Sequence, residues 1–222
     1  MFKDRIDAGL QLAAKLKDYK DKDVVVLAIP RGGLPLGSIV AKSLNAPLDV
    51  ALSKKIGHPY NKEYAIGAVS MEHIILSDAA EIEKGYIDKQ TAKIRAKLKH
   101  RYQQYYKERK PESLQNKVVI IVDDGIATGN TILVTAELVH AQKPKKTIVA
   151  IPVAPRSAIP RLEASPYIDQ VICLLAPHNF HAVGQFYKNF QQVSDAEAIS
   201  IFGRIHTSNR RKRTKRERFS AP

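Results

Sequence analysis

Apolar residues in this chain gather in short unbroken runs, separated by stretches with a period near 3.6. VVVLAI (24–29), VVIIV (118–122), TIVAIPV (147–153) and QVICLL (170–175) show no alternation of polar and apolar positions. Runs of that length and β-branched content read as strands covered on both faces. LDVALSK (48–54) reads as another strand, and AIGAVS (65–70) and HIILSD (73–78) as two short strands that pair. Between them lie helical patterns. Residues 3–17 carry Ile6, Leu10, Ala13, Ala14 and Leu16 on one side; 35–44 begins on Pro35, allowed in a first turn; 130–142 and 157–164 follow. A long helix over 87–107 places Ile87, Ile94, Leu98, Tyr102 and Tyr105 on one face and stops before Pro111. A last helix near 194–203 opens with Ser194 as N-cap and Glu197 three residues on, a capping-box spacing. Strands alternating with helices predict an α/β fold, a parallel sheet flanked by helices, in one domain over 1–205. A small hood from loop and C-terminal segments completes it.

In a parallel sheet the loops after the strands share one edge, and ligands bind there. The loops are IPRGG (29–33), SKKIGHPYNKE (53–63), DDGIATGNT (123–131) and IPVAPRS (151–157). GIATGNT, at a strand-to-helix junction, presents backbone N–H groups and a helix N-terminus, with hydroxyls from Thr128 and Thr131, as a phosphate cradle. No Lys follows its second glycine, so it is not a Walker A loop, and it is not the dinucleotide pattern G-x-G-x-x-G. Asp123 and Asp124 stand directly before it. Two carboxylates beside an anion repel it unless sugar hydroxyls donate to them or Mg²⁺ bridges. A ribose phosphate meets both demands. At the other junction Gly32 and Gly33 let the backbone approach a ligand, and Arg31, Lys54 and Lys55 carry positive charge. Two anion sites with a diol-binding pair between them suit a molecule phosphorylated at both ends.

Composition narrows the setting. Of 222 residues 44% are hydrophobic, without an 18-residue apolar run that would cross a membrane. The opening MFKDRIDAGL is charged and helix-patterned, unlike a secretory leader. The single Cys173 lies in an apolar run and reads as a buried core thiol, which fits a reducing, cytoplasmic setting. Net charge is +14, and two segments hold it: 84–110, with ten Lys and Arg against two acids, and 209–222, with seven against one. The basicity belongs to one helix and one tail. The tail, 206–222, is expected to be disordered and to offer at most weak nucleic-acid contact.

VVIIVDDGIATGNT resembles the phosphoribosyl pyrophosphate signature of the type I phosphoribosyltransferases: an apolar strand, two acids, then a Thr-Gly-x-Thr loop. IPRGG is similar to that family's pyrophosphate loop. SKKIGHPYNKEYAIGAV and HAVGQFYKNFQQVSDAE resemble a bacterial group of "predicted phosphoribosyltransferases" whose acceptor is unclear, and the likeness covers about residues 5–203. The resemblance implies these roles. Asp123 and Asp124 bind the ribose hydroxyls directly or near a Mg²⁺. Ala127, Thr128, Gly129, Asn130 and Thr131 hold the 5′-phosphate. Arg31, Gly32 and Gly33 face the pyrophosphate, with Lys54 or Lys55 assisting. It also implies a homo-oligomer that transfers ribose 5-phosphate to a nitrogen acceptor and releases pyrophosphate. The 6-oxopurine enzymes carry an Asp base where this chain has Ala127, which disfavours hypoxanthine or guanine. The catalytic group is then expected in 55–64, with Lys55 and Glu63 put forward and His58 and Lys62 as further candidates.

Phe180, His181, Phe186, Tyr187 and Phe190 can wall an acceptor or pack the C-terminal segment, and packing is the expectation for most of them. Two rival functions remain: a regulatory nucleotide-sensing or RNA-binding protein on the same fold, motivated by the tail, and a hydrolase or phosphorylase of phosphoribosyl compounds.

Overall fold

A computed structural model describes residues 1–61, 64–76 and 82–205. Lys62, Glu63, the end of HIILSD and the basic tail lie outside the described residues. Asp4 caps α1 (Arg5–Lys15), its Oδ1 accepting from the N–H groups of Ile6 and Asp7 at 2.8 and 2.9 Å. The chain continues through β1 (Val24–Ala28), α2 (Gly33–Leu44), β2 (Leu48–Val50), β3 (Lys54–Gly57), β4 (Ala65–Val69), β5 (Ile74–Leu76) and α3 (Lys84–Tyr106). Then come β6 (Val118–Val122), α4 (Asn130–His140), β7 (Lys146–Val153), α5 (Ala158–Glu163), β8 (Gln170–Leu175) and α6 (residues 195–205). Ser194 caps α6 as its spacing predicts, with Oγ accepting from Glu197 N–H at 3.1 Å.

The main sheet is parallel, in the order β2–β1–β6–β7–β8. Alternate residues of each strand enter opposite cores. Val24, Val26, Ala28, Ile120, Val122, Ile148 and Ala150 pack with α1, α2 and α6. Val25, Leu27, Val119, Ile121, Val149 and Ile151 pack with α4 and α5. Burial on both faces is why the strand segments carry apolar residues without alternation. β8 differs: as an edge strand all six of its residues are half-buried, so Cys173 is half-buried rather than fully enclosed.

LDVALSK does not remain one strand. Ala28 pairs with Val50, Ala51 N–H reaches Ala28 O at 2.9 Å, and there β1 turns away and offers no further partner. The chain bends at 51–53 and restarts as β3. β3, β4 and β5 form a separate antiparallel sheet, which includes the pairing expected of AIGAVS and HIILSD. The 23-residue α3 joins the two bodies. Its Ile87, Ile94 and Leu98 pack on Ile56, Ile66 and Val69 of the small sheet. Its last turn inserts Tyr105 and Tyr106 into the main core, edge-on to Phe202 of α6.

Asp49, 2% exposed in the middle of β2, anchors that junction. It accepts from Tyr106 Oη, from Glu112 N–H at 2.7 Å and from Val50 N–H at 2.8 Å. Burial outweighs these bonds and pushes its carboxyl up to about 6. The folded protein therefore holds this proton more tightly than the unfolded chain, whose Asp titrates near 3.8. The sign follows: the contribution is most favourable below about pH 4 and is lost as pH rises through 6. Relative to Asp49→Asn, the wild type should lose up to about 1.4 kcal/mol of stability per pH unit between pH 4 and 6. Urea unfolding of both proteins across that range measures it, and parallel stability curves would contradict it.

Candidate functional site

The edge formed by the carboxyl ends of β1, β6 and β7 brings three of the four predicted loops together. Gly33 N–H closes the loop after β1 onto Ile29 O at 3.0 Å. A methyl on Gly33 would stand 2.5 Å from Val122 O and 3.1 Å from Asp123 Cα, and one on Gly32 would overlap Asp124 Oδ2. The close approach these glycines permit is thus to the strand end carrying the two acids. Arg31 meets α6, its Nη1 3.5 Å from Asp195 Oδ2 across half-exposed side chains. An ion pair in that setting contributes little and yields readily to a stronger anion.

The acids are held unequally. Asp123 Oδ1 accepts Asp124 N–H at 2.9 Å. Asp124 Oδ2 takes both Nε and Nη2 of Arg5, each at 2.8 Å, and its backbone oxygen accepts Tyr187 Oη at 2.6 Å. Burial pushes both carboxyls up, and at Asp123 the charge of Asp124 adds to it. Arg5 opposes the rise at Asp124. Arg5 thus favours the charged form of Asp124, which it holds directly.

Beyond the acids, Gly125 (φ 145°) turns the chain so that Ile126 N–H reaches Val153 O at 3.0 Å. Gly129 (φ 77°) then starts α4 in a backbone region that favours glycine. Ala127, Thr128 and Thr131 are exposed, Gly129 is buried, and Asn130 is half-buried with an Oδ1 that lacks a hydrogen-bond partner. With the first-turn N–H groups of α4 this loop forms a donor-rich end suited to an anion.

Lys54 and Lys55 open β3 rather than ending the strand before it, opposite Val69 and Ala68. Lys54 is exposed and Lys55 half-buried. His58 lies beyond them in the β3–β4 connection, its Nδ1 accepting Tyr60 N–H at 3.2 Å. Lys62 and Glu63 lie outside the described residues.

Of the aromatic cluster, Tyr187 is buried against Phe2 and Phe190, while Phe180 and Phe186 stack half-buried at 5.5 Å. His181 is exposed. Val183 abuts the loop: a methyl on Gly125 would lie 2.6 Å from its Cγ1. Sequence reasoning missed Arg5 and Tyr187 as neighbours of the acids. Arg5 sits 119 residues from Asp124 on an amphipathic helix, and nothing in its local pattern marks it.

Among the described residues no group of three His, Cys, Asp or Glu side chains forms a metal cage. Two carboxylates at a phosphate edge do fit Mg²⁺, which is commonly held by one or two carboxylates together with substrate phosphates.

Comparison with known proteins agrees with this architecture. Residues 3–189 match the family model described as Phosphoribosyl transferase domain. Two Mycobacterium tuberculosis proteins, from strains CDC 1551 and H37Rv, both provisionally named phosphoribosyl transferases, are 38% identical over 211 residues, which is 93% of this chain and 47% of theirs. The chain thus spans about half the length of these curated relatives. The crystal structure of TT1426 from Thermus thermophilus is 34% identical with a TM-score of 0.85, covering 92% of this chain and 98% of that one.

The tight seat of Gly33 is testable. Gly33→Ala must push a methyl into the Val122 carbonyl and should cost about 1–3 kcal/mol, the usual range for overpacking. Gly203→Ala, whose methyl meets nothing within 4 Å, should cost nothing. Chemical denaturation of both variants checks the contrast; equal stabilities would contradict the geometry.

Proposed function

The chain belongs to the phosphoribosyl transferase domain family, and from that premise we propose that it is a pentosyltransferase using phosphoribosyl pyrophosphate. It transfers ribose 5-phosphate to a nitrogen acceptor, a nucleobase or similar amine, and releases pyrophosphate. The observation that carries this reading is the contact between IPRGG and the acid pair: Gly32 and Gly33 pack directly on Asp124 and Asp123 at one sheet edge, with the α4 loop beyond. A diol site then lies between two anion sites, the order in which the donor presents its groups.

In this reading Ala127, Thr128, Gly129, Asn130 and Thr131 seat the 5′-phosphate with backbone and hydroxyl donors. The acids receive the ribose hydroxyls. Arg31, with Lys54 and Lys55 from the β3 hairpin, stabilises charge that develops on pyrophosphate as its bond to C1 breaks and the nitrogen attacks. Mg²⁺, held near Asp123 and Asp124, would supply further neutralisation of that leaving group. Ala127 offers no base, so the acceptor's proton goes elsewhere; Lys55 and Glu63 are the candidates. Half-buried Phe180 and Phe186, next to the Val183 that touches the loop, supply an apolar wall for a planar acceptor.

A second reading, nucleotide sensing or RNA binding on the same fold, draws support from the exposed Lys89, Lys93 and Lys97, which recur every four residues along α3. Such a ridge suits a phosphate backbone.

Calorimetry should show phosphoribosyl pyrophosphate binding in the presence of Mg²⁺, and Asp123→Asn should weaken it about tenfold or more, as loss of a charge-assisted hydrogen bond does. No binding by the wild type would overturn the transferase reading. Screening nucleobases and amines for pyrophosphate release then names the acceptor. For the second reading, reversing Lys89, Lys93 and Lys97 to Glu should abolish RNA binding at about 0.15 M salt; an unaffected or absent interaction removes its support.

A further inference from the structure

Two adjacent carboxylates at an anion-binding edge are a charge conflict, and α1 supplies a cation at that point. Arg5 Nε and Nη2 both meet Asp124 Oδ2 at 2.8 Å, with side chains only 11% and 14% exposed. The rest of the guanidinium is also committed. Its Nη1 donates to Gln191 O at 2.6 Å, and its Cζ lies 3.9 Å from the centre of the Phe190 ring. Asp124 is fixed from its other sides by Tyr187 Oη on its backbone oxygen and by Gly32, whose missing side chain leaves the space Oδ2 fills. Asp123 is held more lightly, its Oδ1 accepting from the next residue's N–H.

We propose that Arg5 is a positioning residue of the phosphoribosyl site: by holding Asp124 it cancels one of the two negative charges, so that the pair meets the sugar hydroxyls and any bound cation with a single uncompensated charge, left on Asp123. The proposal rests on the transferase reading above and adds a division of labour between the acids. It has a consequence that a merely structural staple between the chain's two ends lacks. Without Arg5, Asp124 becomes an uncompensated carboxylate beside a polyanionic ligand, and added cation must do what the guanidinium did.

The test is calorimetric titration of phosphoribosyl pyrophosphate over a Mg²⁺ series, with thermal melts alongside. Arg5→Gln should weaken binding about 10- to 100-fold, the loss expected when a charge-assisted pair is broken. It should also raise the Mg²⁺ concentration for half-maximal affinity. Arg5→Gln combined with Asp124→Asn removes both charges and should bind about tenfold tighter than Arg5→Gln alone, a coupling that a double-mutant cycle isolates. Arg5→Met, with an unbranched apolar side chain of similar reach, serves with the same expectation if Arg5→Gln is too unstable to titrate. A lower melting temperature with affinity and Mg²⁺ requirement unchanged would assign Arg5 to structure alone and overturn the proposal. So would a double variant no better than the single one. Failure of the wild type to bind would instead bring down the transferase reading, and this proposal with it.

Discussion

Asp124 leaves a strand that has solvent on neither face, and a carboxylate so placed needs a cation, a proton or several donors. Arg5 meets that need, and much of the ligand edge is arranged around the result. The pair ties α1 to the end of β6. Through Gln191 O and the Phe190 ring it ties in the C-terminal segment as well. It also explains Gly32, because any side chain there would occupy the position of Asp124 Oδ2. Removing one partner of a buried pair typically costs about 3–5 kcal/mol. Four segments distant in sequence thus depend on a single contact at the place where chemistry is expected.

A second buried acid performs a comparable task on β2, two strands away in the same sheet. Asp49 ties β2 to the last turn of α3 and to the Glu112 backbone. The antiparallel sheet carrying Lys54 and Lys55 rests on α3 through Ile56, Ile66 and Val69. The placement of those lysines relative to the main sheet therefore runs through β2 and α3 rather than through a continuous strand. At Asp49 burial raises the proton affinity against hydrogen bonds alone, whereas at Asp124 the Arg5 guanidinium opposes the rise as well. The two acids show how one residue type withdrawn from water responds to the charges and donors nearest to it.

Much of the framework was legible in the chain. Strands buried on both faces must be apolar at every position, so β1, β6 and β7 stood out as runs, and the junctions with IPRGG and DDGIATGNT marked one edge. The capping pattern at Ser194 and the apolar face of α3 were legible for equally local reasons. The break at 51–53 was not. LDVALSK has strand-like residues throughout, and it divides only because the neighbouring strand ends at Ala28. Cys173 is less enclosed than its apolar run implies because β8 lies at the sheet's edge, a matter of strand order.

Residues close together in the chain were enough to specify the alternation of strands and helices, the two acids, the loop beyond them and the lack of a side-chain base at Ala127. Tertiary structure alone decided which acid is neutralised, that a residue near the N-terminus does it, and that Gly32 faces an aspartate. Those outcomes depend on distances between residues up to 119 positions apart, which local pattern does not encode.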